Sequence, residues 1–425
     1  MSIGRFVAIG IIFAAVTAGW WVLGATVELR TSDLDESLSA EMASLWGPEV
    51  LAQASPYLGE DEGGRPRALP LASTVTADLR HEHRYKGLLW YSTFEVDFAG
   101  EYRVPAAGGQ FVFPLPAGAA TYHALSMTVD GNDEPISPGD IASGRLAVEL
   151  AEGAEHVVTV QYVTGGQDLW LYCPGGAPQA RQRGDKTVVP SSGQLNELRD
   201  FSLTVTTDFA RIDYPRGTLS PKQRATPTGG GMRAAWEYPR LITAQSIGIA
   251  MPKRPNAGPI AARMSFFAPV SLLFFFTVLF AVVVLKGLRL HPMHYLFIAA
   301  GFFAFHILLA YLADVMDIHT AFWTAAAASV LLVVSYMRLV AGVKFALVYT
   351  GVAQVVYLVG FSYAFFWAGR TGLTVSISAV VTLFVLMQAT GRVDWHAFFR
   401  RPPNGEEPEA GNRKPDVPPV VGSPA

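Results

Sequence analysis

The sequence predicts a mixed membrane protein, in which a six-helix α-helical transmembrane bundle carries an extracytoplasmic antiparallel β-sandwich-like domain. Two observations predict it: long apolar stretches crowd the last third of the 425 residues, and apolar and polar residues alternate through the middle of the chain. The composition agrees, since 51% of the residues are hydrophobic and the mean hydropathy is +0.29. A net charge of only −3 gives no indication of a nucleic-acid partner.

The predicted bundle consists of six stretches without Lys, Arg, Asp or Glu, because a helix needs about 20 apolar residues to cross hydrocarbon. They cover residues 6–24, 266–285, 293–313, 321–337, 345–369 and 372–390. The last five make up a predicted transmembrane region over residues 265–396. A soluble protein with buried helices is excluded, since five such stretches in succession leave no amphipathic helices to cover them.

The distribution of basic residues predicts the orientation of the chain. Short loops rich in Lys and Arg stay in the cytoplasm, and with six crossings the basic loops fall on the same side as Arg5. These loops contain Lys286, Arg289, Arg338, Lys344, Arg392, Arg400 and Arg401. Both termini are therefore predicted to be cytoplasmic, with residues 1–5 at one end and a disordered, proline-rich tail over residues 397–425 at the other.

The first apolar stretch has two interpretations. Val16, Thr17 and Ala18 are typical of a signal-peptide cleavage site. The apolar run continues through Trp20 and beyond, which favours an uncleaved anchor with aromatic residues at the membrane interface. We expect an anchor helix over residues 6–24, and either interpretation leaves the following domain outside the cytoplasm.

The predicted outer domain spans residues 25–264. At its start, Asp33 and Glu36 have the spacing of a capping box and apolar residues recur at helical intervals, which predicts an amphipathic helix over residues 33–45. Its polar face is acidic, which favours docking on the domain over binding to anionic lipid. Residues 52–70, rich in Gly and Pro, are predicted to form a linker.

A β-rich region is predicted over residues 73–250, where the period of the apolar residues is two and no helical pattern interrupts it. The strand candidates are residues 94–98, 109–115, 125–129, 145–151, 156–163, 168–172, 201–205 and 241–250. An antiparallel sandwich accounts for these strands with the fewest assumptions.

Few patterns in the outer domain point to chemistry. His81 and His83 would lie on one side of a strand as half of a metal site, but no third ligand can be named, so a solvated strand face is favoured. Cys173 is the only cysteine and has no identifiable activating base, which predicts an inert thiol and no internal disulfide. The sequence contains no phosphate-binding glycine loop, nucleophile elbow or zinc-protease helix. We therefore expect no enzymatic activity, metal or cofactor.

Two polar residues at membrane depth, His306 and Gln354, allow two interpretations. Isolated polar groups are costly there, and they either hold helices together by hydrogen bonds or line a transport pathway. The spacing allows the two side chains to touch. Hydrogen bonding between helices is favoured, because charged residues and the broken, paired helices of transporters are absent from the predicted spans.

The sequence around Pro292 is different in kind. Pro292 suits the first turn of a helix, and His294 and Tyr295 would lie at the level of the cytoplasmic headgroups. This segment, with His291 before it, is either a helix start with interfacial anchors or a contact for a cytoplasmic partner.

Several separated landmarks, in this order along the chain, resemble those of one family. They are Trp46, Gly47 and Pro48; Arg84, Tyr85 and Gly87 of an arginine-tyrosine-lysine-glycine segment; Gly231 to Trp236; His291, Pro292 and Tyr295; and Asp394 and Trp395. Together they resemble the CreD family of bacterial inner-membrane proteins, which is associated with envelope integrity and colicin tolerance. None of these landmarks is a catalytic signature.

The resemblance implies a multi-pass protein of the bacterial inner membrane that contributes to envelope integrity or the stress response through a periplasmic β domain. It implies the lipid bilayer as a partner, together with periplasmic envelope components or other membrane proteins. Two positions depart from the family pattern: Asp314 alone remains of a serine-glutamate-histidine run, and Phe361-Ser362 replaces an acidic pair. A small-solute transporter or channel, and less readily a membrane-anchored periplasmic hydrolase, stay open as alternatives.

Overall fold

The computed structural model describes residues 3–60, 66–87, 89–106, 109–119, 121–174, 181–183, 186–189, 195–288, 290–367, 369 and 371–391. The chain divides into two compact units. The helical unit contains Met1–Leu23, Arg263–Leu309 and His319–Ala425, and the β unit contains Gly24–Ala262 and Ala310–Ile318.

The helices are α1 (Ile3–Trp46), α2 (Pro138–Ser143), α3 (Ala257–Leu285), α4 (Pro292–Leu312), α5 (Ile318–Ala341), α6 (Phe345–Phe366) and α7 (Thr371–Thr390). Among the described residues, α1 and α3 to α6 are long and apolar enough to cross a membrane, which gives five candidate spans. The apolar part of α7, Gly372–Gln388, is shorter. The predicted count of six spans is therefore not confirmed, although a helix does occupy the sixth predicted stretch.

α1 is one continuous helix, so the prediction of a separate helix over residues 33–45 is wrong. No proline lies between the two predicted helices, and Thr31 Oγ1 donates to the carbonyl of Val27 (2.8 Å), a bond that an unbroken helix accommodates. The predicted end is confirmed: α1 stops at Trp46, and Gly47, with φ +95°, donates its N–H to the carbonyl of Ala43 at 3.1 Å.

α6 consists mainly of π-helical turns, Phe345–Gly351 and Val355–Gly360. Such turns are rare and occur mostly in single-turn pieces. The sequence does not predict them, because a uniformly apolar stretch has no polar face whose period would distinguish one type of turn from another.

The strands are β1 (Val50–Ala54), β2 (Tyr57–Glu60), β3 (Pro66–Ala68), β4 (Ala72–Lys86), β5 (Leu89–Val104), β6 (Gly109–Pro114), β7 (Tyr122–Val129), β8 (Asn132–Asp133), β9 (Arg145–Leu150), β10 (His156–Gln167), β11 (Leu169–Cys173), β12 (Arg181–Arg183), β13 (Lys186–Val188), β14 (Asn196–Thr207), β15 (Thr226–Thr228), β16 (Gly231–Thr243) and β17 (Ile247–Ala250). They confirm the predicted strands, except that the candidate over residues 241–250 is divided between β16 and β17.

Eight strands form the largest sheet, in the order β15-β16-β14-β4-β5-β10-β7-β8. Smaller sheets have the orders β3-β2-β6-β9, β1-β11-β17 and β12-β13. Buried side chains of the three larger sheets, such as Phe98, Phe113 and Trp170, belong to a single hydrophobic cluster. This cluster is the core of the β unit, and it accounts for the stability of strands whose other face is polar.

Two predictions about this region need correction. The pairing is not purely antiparallel, because β14 pairs with β4 and β1 with β11 in parallel. Long connections separate the partners of each parallel pair, which hairpins could not join. Residues 52–70 are not a simple linker, since β2 and β3 lie there and the buried side chain of Leu58 belongs to the core.

Candidate functional site

The end of α1 docks on the glycine-rich end of β10. A Cβ atom on Gly47 would overlap the carbonyl oxygen of Gly165, so this approach requires glycine at position 47. Gln167 Nε2 donates to the carbonyl of Gly47 (2.7 Å), and the N–H of Gln167 donates to the carbonyl of Pro48 (2.9 Å). The tryptophan-glycine-proline landmark is therefore a rigid attachment of the helix to the large sheet.

Arg84 brings the second landmark to the same place. Its guanidinium carbon lies 3.4 Å from the centre of the Trp46 ring, a stacked cation–π contact. Arg84 Nη2 also forms an ion pair with Glu82. Two landmarks that are 38 positions apart in the sequence, Trp46 and Arg84, thus meet in one contact.

The tip of the β4–β5 hairpin also contacts α1. Gly87, with φ +63°, lies so close to the helix that a Cβ atom there would be 2.8 Å from Leu38 Cδ1. Lys86 forms an ion pair with Glu41, and the Tyr91 hydroxyl donates to Asp35 at 3.2 Å. Hairpin and helix are therefore joined along more than one turn, and the expected docking of this part of the helix on the domain is confirmed.

A cleft of about 580 Å³ opens beside this contact. We call it the junction cleft, and its walls are Leu45, Trp46, Gly47, Arg80, His81, Glu82, Arg84, Thr93, Phe94, Glu95, Thr121, His123 and Gly165. The charges of its arginines are compensated locally, since Arg80 pairs with Glu95 (3.2 Å) and Arg84 with Glu82. An aromatic face beside paired charges and hydroxyl groups suits a polar, neutral or zwitterionic ligand better than a highly charged one.

His81 and His83 lie on the same side of β4, as predicted, with ring centres 4.4 Å apart. The Ser92 hydroxyl donates to the carbonyl of Pro252 (2.6 Å), so the neutral His81 ring must donate from Nε2 to Ser92 Oγ (2.9 Å). Burial lowers the pKa of both histidines, and the neighbouring His83 lowers that of His81 further. Both rings are half-buried, so this face of β4 is less solvated than predicted. Among the described residues, no group of three or more His, Cys, Asp or Glu side chains could hold a metal ion.

His306 is buried in the helical unit and is paired with the first span. Its Nδ1 lies 3.2 Å from Trp20 Nε1 and 2.9 Å from the carbonyl oxygen of Phe302. Nδ1 can accept from the indole or donate to the carbonyl, but it cannot do both. In either tautomer, Nε2 has no hydrogen-bond partner among the described residues.

Gln354 is also buried, but its bond goes to α5. Gln354 Nε2 donates to Ser329 Oγ (3.0 Å), which donates to the carbonyl of Gly301 on α4 (2.6 Å). Three helices are linked by this relay, as the favoured interpretation predicted. The suggested contact between His306 and Gln354 is not formed, since each has a different described partner.

The segment at the start of α4 is more buried than predicted. Tyr295 is 1% exposed and packs edge-on against Phe276, so it is not an interfacial anchor. His294 Nδ1 lies 2.7 Å from the hydroxyl of Tyr336, which connects α4 to α5. His291 is exposed and its Nδ1 accepts from the N–H of Met293 (3.3 Å), which together with Pro292 gives a helix start as predicted.

The remaining residues of the β unit that the sequence analysis singled out are packed within the sheets. A Cβ atom on Gly231 would overlap the carbonyl oxygen of Thr207, and Trp236 is fully buried with Nε1 donating to the carbonyl of Leu219 (2.9 Å). Burial raises the pKa of the Cys173 thiol to about 12, which keeps it protonated and unreactive as expected. These residues lie in the sheets and not at the junction cleft.

Asp314 forms an ion pair with Arg30 of α1 at 2.8 Å. Arg30 also lies over the Tyr311 ring, with its guanidinium carbon 5.6 Å from the ring centre. The carboxylate of Asp314 is therefore half of a contact between α1 and the α4–α5 connection. Asp394 and Trp395 lie outside the described residues, as does the predicted cytoplasmic tail.

Residues 217–396 match the family model of the inner membrane protein CreD. The chain thus matches CreD over its late β strands and its last helices, and the resemblance predicted from the sequence is confirmed over that range. The landmarks around Trp46 and Arg84 precede the matched range, so their resemblance to the family stays a prediction. No curated protein matches the chain.

Sequence reasoning missed the β10 side of the junction, formed by Gly165, Gly166 and Gln167. The strand prediction ended at residue 163, before these glycines. Two adjacent glycines at the end of a strand often mark a close approach of another backbone segment, and that signal would have indicated the site. What it could not indicate is that the approaching segment is Trp46-Gly47.

Proposed function

We propose that this protein is a non-enzymatic integral protein of the inner membrane that contributes to envelope integrity or the stress response through its β unit. In this proposal the β unit lies in the periplasm and both termini are cytoplasmic. The carrying observation is the meeting of two CreD-like landmarks, represented by Trp46 and Arg84, at the junction cleft. The CreD match over residues 217–396 and the five candidate spans support the membrane location.

The junction cleft is the surface through which we propose that the β unit contacts an envelope component. It combines the rigid end of α1 with a hairpin whose charges are already paired, so a ligand would displace water without separating ion pairs. Its walls contain hydroxyl groups from Thr93 and Thr121 and an exposed imidazole from His123. Such a site can hold a ligand by hydrogen bonds, and we assign it no chemical step.

The decisive experiment is complementation of a deletion strain. Deletion should increase sensitivity to detergents, cell-wall antibiotics and colicins, and the double variant Arg80→Ala/His123→Ala should fail to restore resistance. Arg199→Ala is the matched control, because Arg199 is also an exposed strand arginine paired with a carboxylate, Glu197 at 3.1 Å, but lies outside the cleft. A deletion strain that is unchanged in every assay would contradict the envelope role. Full rescue by the cleft variant would contradict the use of this surface.

The orientation has its own test. Reporter fusions at residue 150 should report the periplasm, and fusions at residue 410 the cytoplasm. Finding both on the same side would overturn the proposed topology. Photo-crosslinking probes on the exposed faces of residues 80–100 in living cells should then capture the component that the cleft contacts.

A second candidate function, transport of a small solute, is favoured by one observation. His306 Nε2 and Gln354 Oε1 are buried without a hydrogen-bond partner among the described residues, and unpaired polar groups at membrane depth are costly unless something binds there. Purified protein in vesicles should then move solute or current, and His306→Phe should abolish the movement. Absence of movement in the wild-type vesicles would exclude transport of the solutes tried.

A further inference from the structure

A second cavity of the β unit, distinct from the junction cleft, has walls with an excess of positive charge. Its volume is about 840 Å³, and we call it the loop cavity. It is bounded by the segment that follows β14, by the last residue of β17 and by the segment after it: Phe209, Ala210, Arg211, Asp213, Tyr214, Pro215, Arg216, Ala250, Met251, Pro252 and Lys253.

The balance of charge in the loop cavity differs from that in the junction cleft. Within the described part of the chain, neither Arg211 nor Arg216 forms an ion pair, although both line the cavity. Lys253 adds a third cation, whose partner Asp168 (2.6 Å) is not part of the cavity wall. The wall contains only one carboxylate, Asp213, against the three cations, so positive side chains outnumber negative ones by two.

The backbone that carries the two arginines is fixed on both sides. The N–H of Ala250 donates to the carbonyl of Asp213 (3.0 Å), and the N–H of Val189 donates to the carbonyl of Arg216 (3.0 Å). A Cβ atom on Gly217, with φ +90°, would overlap the carbonyl oxygen of Val189, so the close contact of the two backbone segments requires glycine at position 217. A ligand would therefore order side chains but not the main chain, which lowers the entropy cost of binding.

The Tyr214 hydroxyl supplies a neutral donor. Its oxygen is buried and has no hydrogen-bond partner among the described residues, and its ring packs edge-on against Trp236 with centres 6.1 Å apart. Leaving a buried hydroxyl unpaired destabilises the folded protein, so an acceptor placed beside Tyr214 would be bound favourably.

We propose that the loop cavity binds a phosphate-bearing anion. Arg211 and Arg216 contribute planar, forked donors that match phosphate oxygens, and the Tyr214 hydroxyl contributes a single donor from the buried side. Lys253 reinforces the positive potential, and Asp213 partly offsets it. Two sources supply this chemistry, the headgroup of an anionic phospholipid and a soluble phosphate ester.

Titration of purified full-length protein tests the proposal and separates the two sources. The probes are inorganic phosphate, glycerol 3-phosphate and a short-chain phosphatidylglycerol below its micelle concentration, with binding followed by calorimetry. Arg211→Gln and Arg216→Gln should each weaken the binding that is found by about tenfold or more, and Tyr214→Phe by less. Binding of glycerol 3-phosphate identifies a soluble ligand, and binding of the lipid alone identifies a headgroup.

Arg233→Gln is the matched control, since Arg233 is an exposed arginine of the same unit without a described ion pair and lies outside the cavity. It should bind every probe as the wild type does, and all variants should keep the wild-type unfolding temperature. Failure of all three probes to bind, or binding that is equal in the wild type and both arginine variants, would overturn the proposal. Neither result bears on the junction cleft, so the envelope role is tested separately.

Discussion

The junction in the β unit and the buried polar groups of the helical unit are held together by different interactions. At the junction, backbones approach so closely that Gly47 and Gly165 leave no space for a side chain, and charges pair around them. In the helical unit, isolated polar groups such as Gln354 bond to single partners within an apolar environment. The difference indicates that close backbone packing fixes the arrangement of the junction, while a few weak hydrogen bonds select the arrangement of the helices in the helical unit.

Breaking the close approach should have the largest effect. Gly47→Ala should destabilise the protein by about 3 kcal/mol, because the new Cβ overlaps the Gly165 carbonyl and the backbone has a positive φ. Thermal unfolding of detergent-solubilised protein, followed by tryptophan fluorescence, measures the change. Gly153→Ala is the control, with a positive φ of 109° but open space around it, and should cost only about 1 kcal/mol. Equal costs at the two positions would show that close packing at the junction contributes nothing.

A charge contact should have a smaller effect. Arg30 and Asp314 are 35% and 20% exposed at their side chains, which partly shields their ion pair from water. A double-mutant cycle with Arg30→Gln and Asp314→Asn should give a coupling energy of about 1 kcal/mol. The same cycle on Arg80 and Glu95, at 65% and 49% exposure, should give less. The interpretation fails if the exposed pair couples as strongly as the shielded one.

The hydrogen bond between helices should be weaker still. A cycle with Gln354→Leu and Ser329→Ala should give a coupling energy of about 0.6 kcal/mol, because the unfolded state in a membrane also finds partners for polar groups. Ser335→Ala is the control, since Ser335 is exposed and, among the described residues, its side chain bonds only to the carbonyl of Leu332 in its own helix (3.0 Å). A coupling of several kcal/mol would mean that the relay, and not apolar packing, holds this region together.

The smallest expected effect is a change in pH dependence. Burial lowers the pKa of His83 below its ordinary value of 6.5, so between the two values the unfolded chain binds more protons than the folded one. Stability should therefore fall as the pH decreases below about 6.5, and His83→Gln should reduce this slope.

His156 provides the opposite case within the same unit. Its hydrogen bond to Asp130 raises its pKa, so its contribution is fully present below 6.5 and is lost as the pH rises through the folded value. His156→Gln should therefore reduce stability at low pH, where His83→Gln should not. Unfolding temperatures measured from pH 5 to 8 give both differences, and slopes that change in the same direction would contradict the assigned causes.

Much of the local structure could be predicted because its signals are local. Alternation in segments such as residues 201–205 predicted strands, and Gly47 and Pro48 predicted the end of α1. The parallel pairing of β14 with β4 could not be predicted, because pairing depends on which distant strands share a core, and alternation is the same for both directions. The landmarks were found singly, and their meeting at Trp46 and Arg84 was not foreseen.

The sequence by itself determined the division into apolar helices and a strand-rich region, because the length and period of apolar runs limit what each segment can bury. It also determined that the only thiol, Cys173, has no partner for a disulfide. Only the tertiary structure decided that α1 continues from an apolar span to the junction. It also decided that Arg211 and Arg216, which form no ion pair within the described residues, line one cavity. Contacts between distant residues depend on packing in three dimensions, for which a single sequence has no local signal.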